Sequence, residues 1–305
     1  MKKLTLTFCA VMLVVLGFYA HGRINASATE IAVEQLETGT PAIQGATFTV
    51  AAYNIAHGRG AEKGTSNWSG DDEDKANRAK AIGRFLADSE VDIVVLNEVD
   101  FDASWSGRQD QALLIAEAGN FPFIARQLNF SLTLPGFSLK FGNALLSRFP
   151  ITHAERVPLP AFKQHESMLF GNHDAIRATI AVDETSHLDV WGLHLEVRDQ
   201  ATRISAAQHI AEQVDSDRPT VLAGDLNSEL STDAPTQTAL DTFLGIVESE
   251  RPLLECETTA TFPTMAPKRR LDWIVHSPRL ERVECGIGDA QLSDHLPVFS
   301  RFRAR

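Results

Sequence analysis

The sequence predicts one α/β domain built on mixed β-sheets. Three observations carry that reading. Short apolar or alternating runs bounded by turn residues recur between residues 47 and 303, and several neighbours have no helical pattern between them. Strands therefore outnumber helices, which disfavours a doubly wound parallel sheet. No internal repeat and no Pro- or Ser-rich linker divides the chain after residue 47, and 305 residues are within reach of one large domain.

The elements follow in order. Lys2 and Lys3 precede an apolar run of 13 residues, Phe8 to Ala20, and Ala26-Ser27-Ala28 supplies an A-x-A pattern. Residues 1–28 read as a signal peptide cleaved after Ala28, for a secreted or periplasmic protein. An N-terminal membrane anchor is the alternative, because Leu4 to Ala20 approaches the roughly 20 residues of a spanning helix. Residues 29–46 lack periodicity and are expected to be a linker or N-terminal arm. Residues 47–305 form the domain. Its expected strands are Thr47–Tyr53, Val91–Leu96, Gly142–Ser147, Ala175–Val182, Leu188–His194, Thr220–Ala223, Leu271–Val275 and Val298–Arg303. Helices are expected over Asp74–Asp88, with Ala76, Ala79, Ile82, Phe85 and Leu86 on one face, and Asp199–Val214, with Ile204, Ala207, Ile210, Ala211 and Val214 on one face. Ser106–Ala118 and Pro235–Leu244 carry less regular helical patterns. Leu132–Leu139 is expected to be a buried strand pair, with an exposed apolar hairpin as the alternative.

Composition narrows the class. The chain is 44% apolar and 22% charged, which excludes disorder, collagen and a polytopic membrane protein. The formal charge is −12; loss of residues 1–28, with three basic residues and no acid, would make it −15. That disfavours a basic nucleic-acid coat protein. An acidic enzyme that meets a polyanion through bound cations stays open. With Cys9 lost, Cys256 and Cys285 remain as an even pair without any CxxC pattern. They bracket the Asp272 strand, and an oxidising compartment would permit a disulfide. Two separate buried thiols are the other reading.

Polar residues interrupt the apolar strands at their ends. Thr47–Tyr53 meets Asn54, Val91–Leu96 runs into Asn97-Glu98, and Val190–Leu193 ends at His194. Thr220–Ala223 leads to Gly224-Asp225-Leu226-Asn227, Leu271 precedes Asp272, and Ser293-Asp294-His295 precedes the last strand. Singly, each has an ordinary reading as a turn former, a cap or a hydrogen-bonded structural histidine. Jointly they are costly unless they converge, because buried carboxylates and imidazoles need partners or a metal. Hard carboxylate ligands suit Mg²⁺ or Mn²⁺. Histidines beside carboxylates suit proton transfer during hydrolysis.

These segments also carry a resemblance. Asn54-Ile55-Ala56-His57-Gly58, Leu96-Asn97-Glu98-Val99, Gly142-Asn143 through Pro150-Ile151, Leu193-His194-Leu195, Gly224-Asp225-Leu226-Asn227, Leu271-Asp272 and Ser293-Asp294-His295 occur in order. The chain resembles the endonuclease/exonuclease/phosphatase superfamily, with its deoxyribonuclease I-like fold, over about residues 47–303. The resemblance implies a four-layered α/β sandwich, two mixed β-sheets packed face to face with helices outside. It implies a hydrolase of phosphate esters in which Glu98 is the main Mg²⁺ ligand, Asn54 lies beside it and Asp294 lies near the metal; Mn²⁺ is the alternative ion. Asp225 and Asn227 would position the attacking water and a phosphate oxygen. His295 would be the general base, Asp272 its orienting carboxylate, and His194 a donor to the phosphate or leaving oxygen. Asn143 and Arg177 are candidate phosphate contacts. Asn97 stands where relatives carry Gln and Leu226 where they carry Phe; neither is expected to touch the chemistry. His57, His165, His173, His209 and His276 read as structural.

The superfamily specifies reaction better than substrate. Nucleic acid is the favoured class, and Lys268-Arg269-Arg270 is a basic cluster that could rim the site. A phospholipid head group, cleaved as by a sphingomyelinase, or a phosphoinositide or other small ester, is the alternative. No protein partner is implied and a monomer is expected. A non-catalytic binding protein on the same fold is the reading from a different class; the presence of Glu98, Asp225 and His295 argues against it.

Overall fold

A computed structural model describes residues 2–37, 47–62, 64–183, 186–231, 237–246, 256 and 259–304. Its strands are β1 (Val33–Gln35), β2 (Thr47–Asn54), β3 (Ile93–Asp100), β4 (Phe123–Leu134), β5 (Phe137–Ser147), β6 (Ile151–Val157), β7 (Ala175–Ala181), β8 (His187–His194), β9 (Thr220–Asp225), β10 (Asp272–His276), β11 (Leu280–Ile287) and β12 (Val298–Ala304). The helices are α1 (Lys2–Ala26), α2 (Asp72–Asp88), α3 (Gln111–Gly119), α4 (Gln164–Phe170), α5 (Gln200–Ala211) and α6 (Ala239–Ile246). A seven-stranded sheet runs β1-β4-β5-β3-β2-β12-β11, and a five-stranded sheet runs β10-β9-β8-β7-β6. Both are mixed: β2–β3 and β8–β9 are parallel pairs among antiparallel neighbours.

Alternation along the central strands builds the layers, because successive side chains point to opposite faces. Val50, Ala52, Ile93 and Val95 of one sheet meet Ile176, Ala178, Val190 and Val221 of the other in an inter-sheet core. Ala51, Tyr53, Val94 and Leu96 face outward onto Ala79, Ile82 and Leu86 of α2 and Ala112, Ile115 and Ala116 of α3. Trp191, Leu193 and Leu222 face Ala206, Ala207 and Ile210 of α5 and Leu240 and Phe243 of α6. The result is helix, sheet, sheet, helix, as expected. Gly192 lies in this layer, where a Cβ would fall 3.1 Å from the Val95 side chain across the gap and 2.6 Å from that of Ile176, its neighbour in the same sheet.

Asp71 caps α2 by accepting the Glu73 N–H, and Asp199 caps α5 through Thr202 N–H. Residues 29–37 are more ordered than a loose arm: Ile31 joins the inter-sheet core and β1 pairs with β4. Three residues are too few to show a period, and residues 38–46 lie outside the described residues. Of the expected Pro235–Leu244 helix, residues 235–236 also lie outside them, Gln237 and Thr238 are not helical, and the helix runs Ala239–Ile246. The Leu132–Leu139 segment is the tip of the β4–β5 hairpin, turning at exposed Pro135-Gly136, with Leu132, Leu134, Phe137 and Leu139 half-buried. Helix α1 lies against β4, where a Cβ on Gly22 would fall 1.9 Å from the Ser131 carbonyl oxygen. Among the described residues no helix is long and apolar enough to cross a membrane. Cys256 and Cys285 are disulfide-bonded, with Cα atoms 6.0 Å apart.

Candidate active site

The two parallel pairs bring the polar strand ends together. β2 and β3 finish side by side with Asn54 opposite Asn97, and β8 and β9 finish with His194 opposite Asp225. Antiparallel β10 begins where β9 ends, placing Asp272 opposite Asp225. Antiparallel β12 begins at the end of β2, so the preceding Ser293-Asp294-His295 arrives there, and Ser293 Oγ donates to the Asn54 carbonyl at 2.7 Å. One edge of the sandwich thus collects residues from both sheets.

Backbone strain marks the same edge. The pairing of β3 with β5 slips between Leu96 and Val99, and Glu98 in that bulge has φ 53°. The bulge takes Glu98 out of the sheet's alternation and aims it at the site. His57 (φ 54°) and Asn227 (φ 47°) are also left-handed. Each such non-glycine residue costs of order 1–3 kcal/mol, held by the packing around it.

A relay runs from the approach to β12 into the five-stranded sheet. His295 Nδ1 is 2.9 Å from Asp272 Oδ2, and Thr261 Oγ1 donates to the same oxygen at 2.6 Å. His295 Nε2 faces Asp225 Oδ2 at 3.7 Å, and His194 Nε2 faces it at 3.8 Å. Asn54 Nδ2 donates to Glu98 Oε1 (3.2 Å) and to Asp225 Oδ2 (3.1 Å), joining the two sheets. In this arrangement the Asn54 amide nitrogen, not its oxygen, faces the carboxylates; Oδ1 accepts the Ala56 N–H. Asn227 N donates to Asp225 Oδ1 at 2.9 Å and its Nδ2 to the Leu195 carbonyl. Arg59 reaches Glu98 at 3.4 Å and Asp294 at 3.9 Å.

Charges here are strongly coupled. Burial opposes a charge on His295, but Asp272 and Asp225 outweigh it and push the imidazole up to about 10. Burial also works against Glu98, yet His57, His194 and Arg59 hold its carboxyl down at about 2. Burial raises Asp225 and Asp294, with Asp272 adding to the first and Glu98 to the second.

The donor set fits a divalent cation. Asp272 Oδ1 is buried without a hydrogen-bond partner. Asp225, Asp272 and His295 each offer a ligand atom within 4.8 Å of the others'. Crowded carboxylates that resist ionising, as Asp225 and Asp294 do, are relieved by positive charge. The oxygens of Glu98, Asp225 and Asp294 are hard ligands of the kind Mg²⁺ and Mn²⁺ take.

Two candidates lie elsewhere. Arg177 is ion-paired to Asp189 (3.2 Å) and Glu155 (3.4 Å) and stacks on Trp191, so it belongs to the helix-side face of its sheet. Asn143 is fully buried behind the site; its Nδ2 donates to Gln127 and to the Asp174 carbonyl, and its Oδ1 accepts from Asn97. Of the basic cluster, Arg269 pairs with Glu229 and Arg270 donates to the Thr259 carbonyl. Sequence reasoning missed Asn97, whose Oδ1 accepts the Asp225 backbone N–H at 3.0 Å. It also missed His57 and Arg59, three and five residues past Asn54, for which no spacing or period gave a signal.

With this geometry in place, kinship becomes informative. The chain belongs to the Endonuclease/Exonuclease/phosphatase family, whose model matches residues 51–295. Members of that family are generally hydrolases acting on phosphoesters. No curated protein matches the sequence. Solved structures share the fold: an endonuclease/exonuclease/phosphatase from Beutenbergia cavernae is 24% identical, with TM-score 0.64, covering 85% of this chain and 72% of its own. A mannosyl-6-phosphatase from Bacteroides thetaiotaomicron is 15% identical, with TM-score 0.60, covering 84% and 99%. A beta toxin from Staphylococcus aureus is 14% identical, with TM-score 0.57, covering 85% and 100%.

Proposed function

We propose that this chain is a divalent-metal-dependent phosphodiesterase acting by in-line attack of water. The observation that carries this reading is the approach of the Asp272–His295 pair to Asp225, beside Glu98 and Asn54 from the other sheet. Mg²⁺ is the first ion to test and Mn²⁺ the second. Bound at Glu98, Asp225 and Asp294, the ion would supply charge neutralisation for the phosphate oxygens.

The chain's own residues do the rest. Asp272 holds His295 by Nδ1, so Nε2 is the ring atom presented to the nucleophile. With its pKa near 10, His295 is an imidazolium in the ion-free site at neutral pH. Positive charge beside the carboxylates that raise it favours release of that proton, so base function and ion binding are coupled. Asp225 and Asn227 orient the water, and His194 stands on the same carboxylate to donate toward the phosphate or leaving oxygen.

Among the described residues Arg59 is the one Arg or Lys ion-paired to a carboxylate of this centre. One guanidinium suits the single negative charge of a diester better than the dianion of a monoester. Nucleic acid is the first diester to consider. A sphingomyelinase-like activity is the second reading, favoured by Trp68, which is 60% exposed and stacked beside Phe137 of the hairpin. Phosphoinositide phosphatase activity ranks below both.

Purified protein should hydrolyse a generic phosphodiester with Mg²⁺ or Mn²⁺ and stop with a chelator. Parallel assays on DNA, RNA, sphingomyelin and phosphoinositides separate the substrates. Glu98→Gln should remove most activity while keeping the melting profile, because an amide is a much poorer partner for a hard dication. Full turnover of this variant at limiting Mg²⁺ would sink the assignment. Residues 1–28 act in this reading as an export signal. N-terminal sequencing of exported protein should begin at Thr29, whereas intact Met1 in a membrane fraction would replace the signal with an anchor.

A further inference from the structure

The structure holds a second histidine–aspartate pair. His57 Nδ1 lies 2.7 Å from Oδ1 of fully buried Asp100. The pair is over-determined. Trp105 Nε1 donates to Asp100 Oδ2 at 2.8 Å, Asp100 N donates to Gln111 Oε1, and Gln111 Nε2 returns to the His57 carbonyl at 3.0 Å. The edges of Trp105 and Phe141 pack against the imidazole at near-perpendicular angles. The strained backbone of His57 keeps the ring in this place.

All these contacts leave one ring atom, Nε2, and it faces Glu98 Oε2 at 3.6 Å. That distance is beyond a good hydrogen bond. It matches the separation of about 3–4 Å between two ligand atoms that each sit roughly 2.1 Å from one ion. A carboxylate can only accept, so Nδ1 carries the proton toward Asp100, and an ion at Glu98 would take the Nε2 lone pair in place of the proton that otherwise faces the Glu98 carboxylate. Metal-bound histidines show this arrangement, one nitrogen on the ion and the other donating to a carboxylate. Arg59 also touches Glu98 Oε2, but through Nη2 alone; its Nη1 is held by Asn67 Oδ1 at 3.1 Å, so the side chain keeps an anchor when Nη2 yields.

Resting on the metal-dependent reading above, we infer that His57 is a nitrogen ligand, through Nε2, to the divalent ion held by Glu98. A site with one imidazole among its oxygens favours Mn²⁺ and other first-row transition ions over Mg²⁺, which takes oxygen almost exclusively.

The test uses Mn²⁺ and the full-length chain. Pulsed electron paramagnetic resonance of the Mn²⁺-loaded protein should show coupling to a histidine nitrogen. Histidine labelled with ¹⁵N in the unmutated protein should convert that signal, which identifies the nitrogen without any substitution. The coupling should disappear in His57→Asn, a residue chosen because Asn tolerates positive φ, and persist in His194→Ala. Asp100→Asn should weaken Mn²⁺ binding by about 10–100-fold, the usual cost of losing a partner behind a metal ligand. Mn²⁺ bound without nitrogen coupling, or with coupling unchanged in His57→Asn, would overturn the inference and leave the Glu98 site standing. No Mn²⁺ binding by the unmutated protein would overturn both.

Discussion

Asn97 on β3 accepts the backbone N–H of Asp225 on β9 at 3.0 Å, so a side chain of one sheet fixes the backbone of a site residue in the other. Asn97 in turn donates to Asn143, which donates to Gln127, a buried amide chain running back into the seven-stranded sheet. An apolar side chain here would leave the Asp225 N–H buried without this partner.

Asn97→Ala should therefore cost about 1–3 kcal/mol of stability. It should also lower kcat more than it raises KM, because Asp225 loses its fixed position. Denaturant melts with steady-state kinetics read both. A stability loss with kcat unchanged would make Asn97 purely structural.

His295→Ala should lower the rate by about 10²–10⁴, the usual worth of a positioned general base. Asp272→Asn should also slow turnover, since the amide cannot hold Nδ1–H in the same way. The double variant should be little worse than His295→Ala alone, because the pair acts as one unit. Additive losses would argue that Asp272 works elsewhere.

The pH dependence of stability follows from the same pair. The folded pKa of His295, about 10, exceeds its ordinary 6.5, so the folded state binds its proton more tightly. The stabilisation is full below pH 6.5 and is lost as pH rises toward 10. Glu98, held at about 2 against its ordinary 4.5, contributes stability above pH 4.5 that is lost as pH falls toward 2. Urea midpoints of chelated protein should fall at both ends, and His295→Ala should flatten the alkaline limb. An unchanged alkaline limb would contradict the raised pKa.

Reduction of Cys256–Cys285 should cost about 3–4 kcal/mol, from release of a loop spanning a sequence separation of 29 residues. Comparing melts with and without reductant, and the Cys256→Ser/Cys285→Ser pair, measures it. Reduced and oxidised protein with the same denaturation midpoint would rule out a stabilising role.

What the sequence disclosed depended on burial. β2, β3, β8, β9, β10 and β12 were legible because apolar residues run through them continuously or in alternation. β6 and β11 were not: β6 exposes Thr152 and His153, and β11 is an edge strand broken by a bulge, with Glu281, Val283 and Glu284 outward. β4 alternates with Arg126, Gln127 and Asn129 across its own bulge, which blurs the period. The strand-end residues were legible because polar groups there demand a reason. Arg177 was misplaced because a strand position does not say which end of the sheet a long side chain serves. His57 was passed over because its partner, Asp100, is brought to it by the β2–β3 pairing alone.

The candidate site has no single wall. Asn54, Glu98 and His295 belong to the seven-stranded sheet or its approach, while His194, Asp225 and Asp272 belong to the other. The gap between them is therefore a thickness, gauged by the apolar side chains stacked between the sheets. Gly192, facing Val95 of the opposite sheet, is one point where that gauge is tight. One methyl group added there is a shim: it would reach the chemistry as a change in spacing, far from any residue that touches a phosphate.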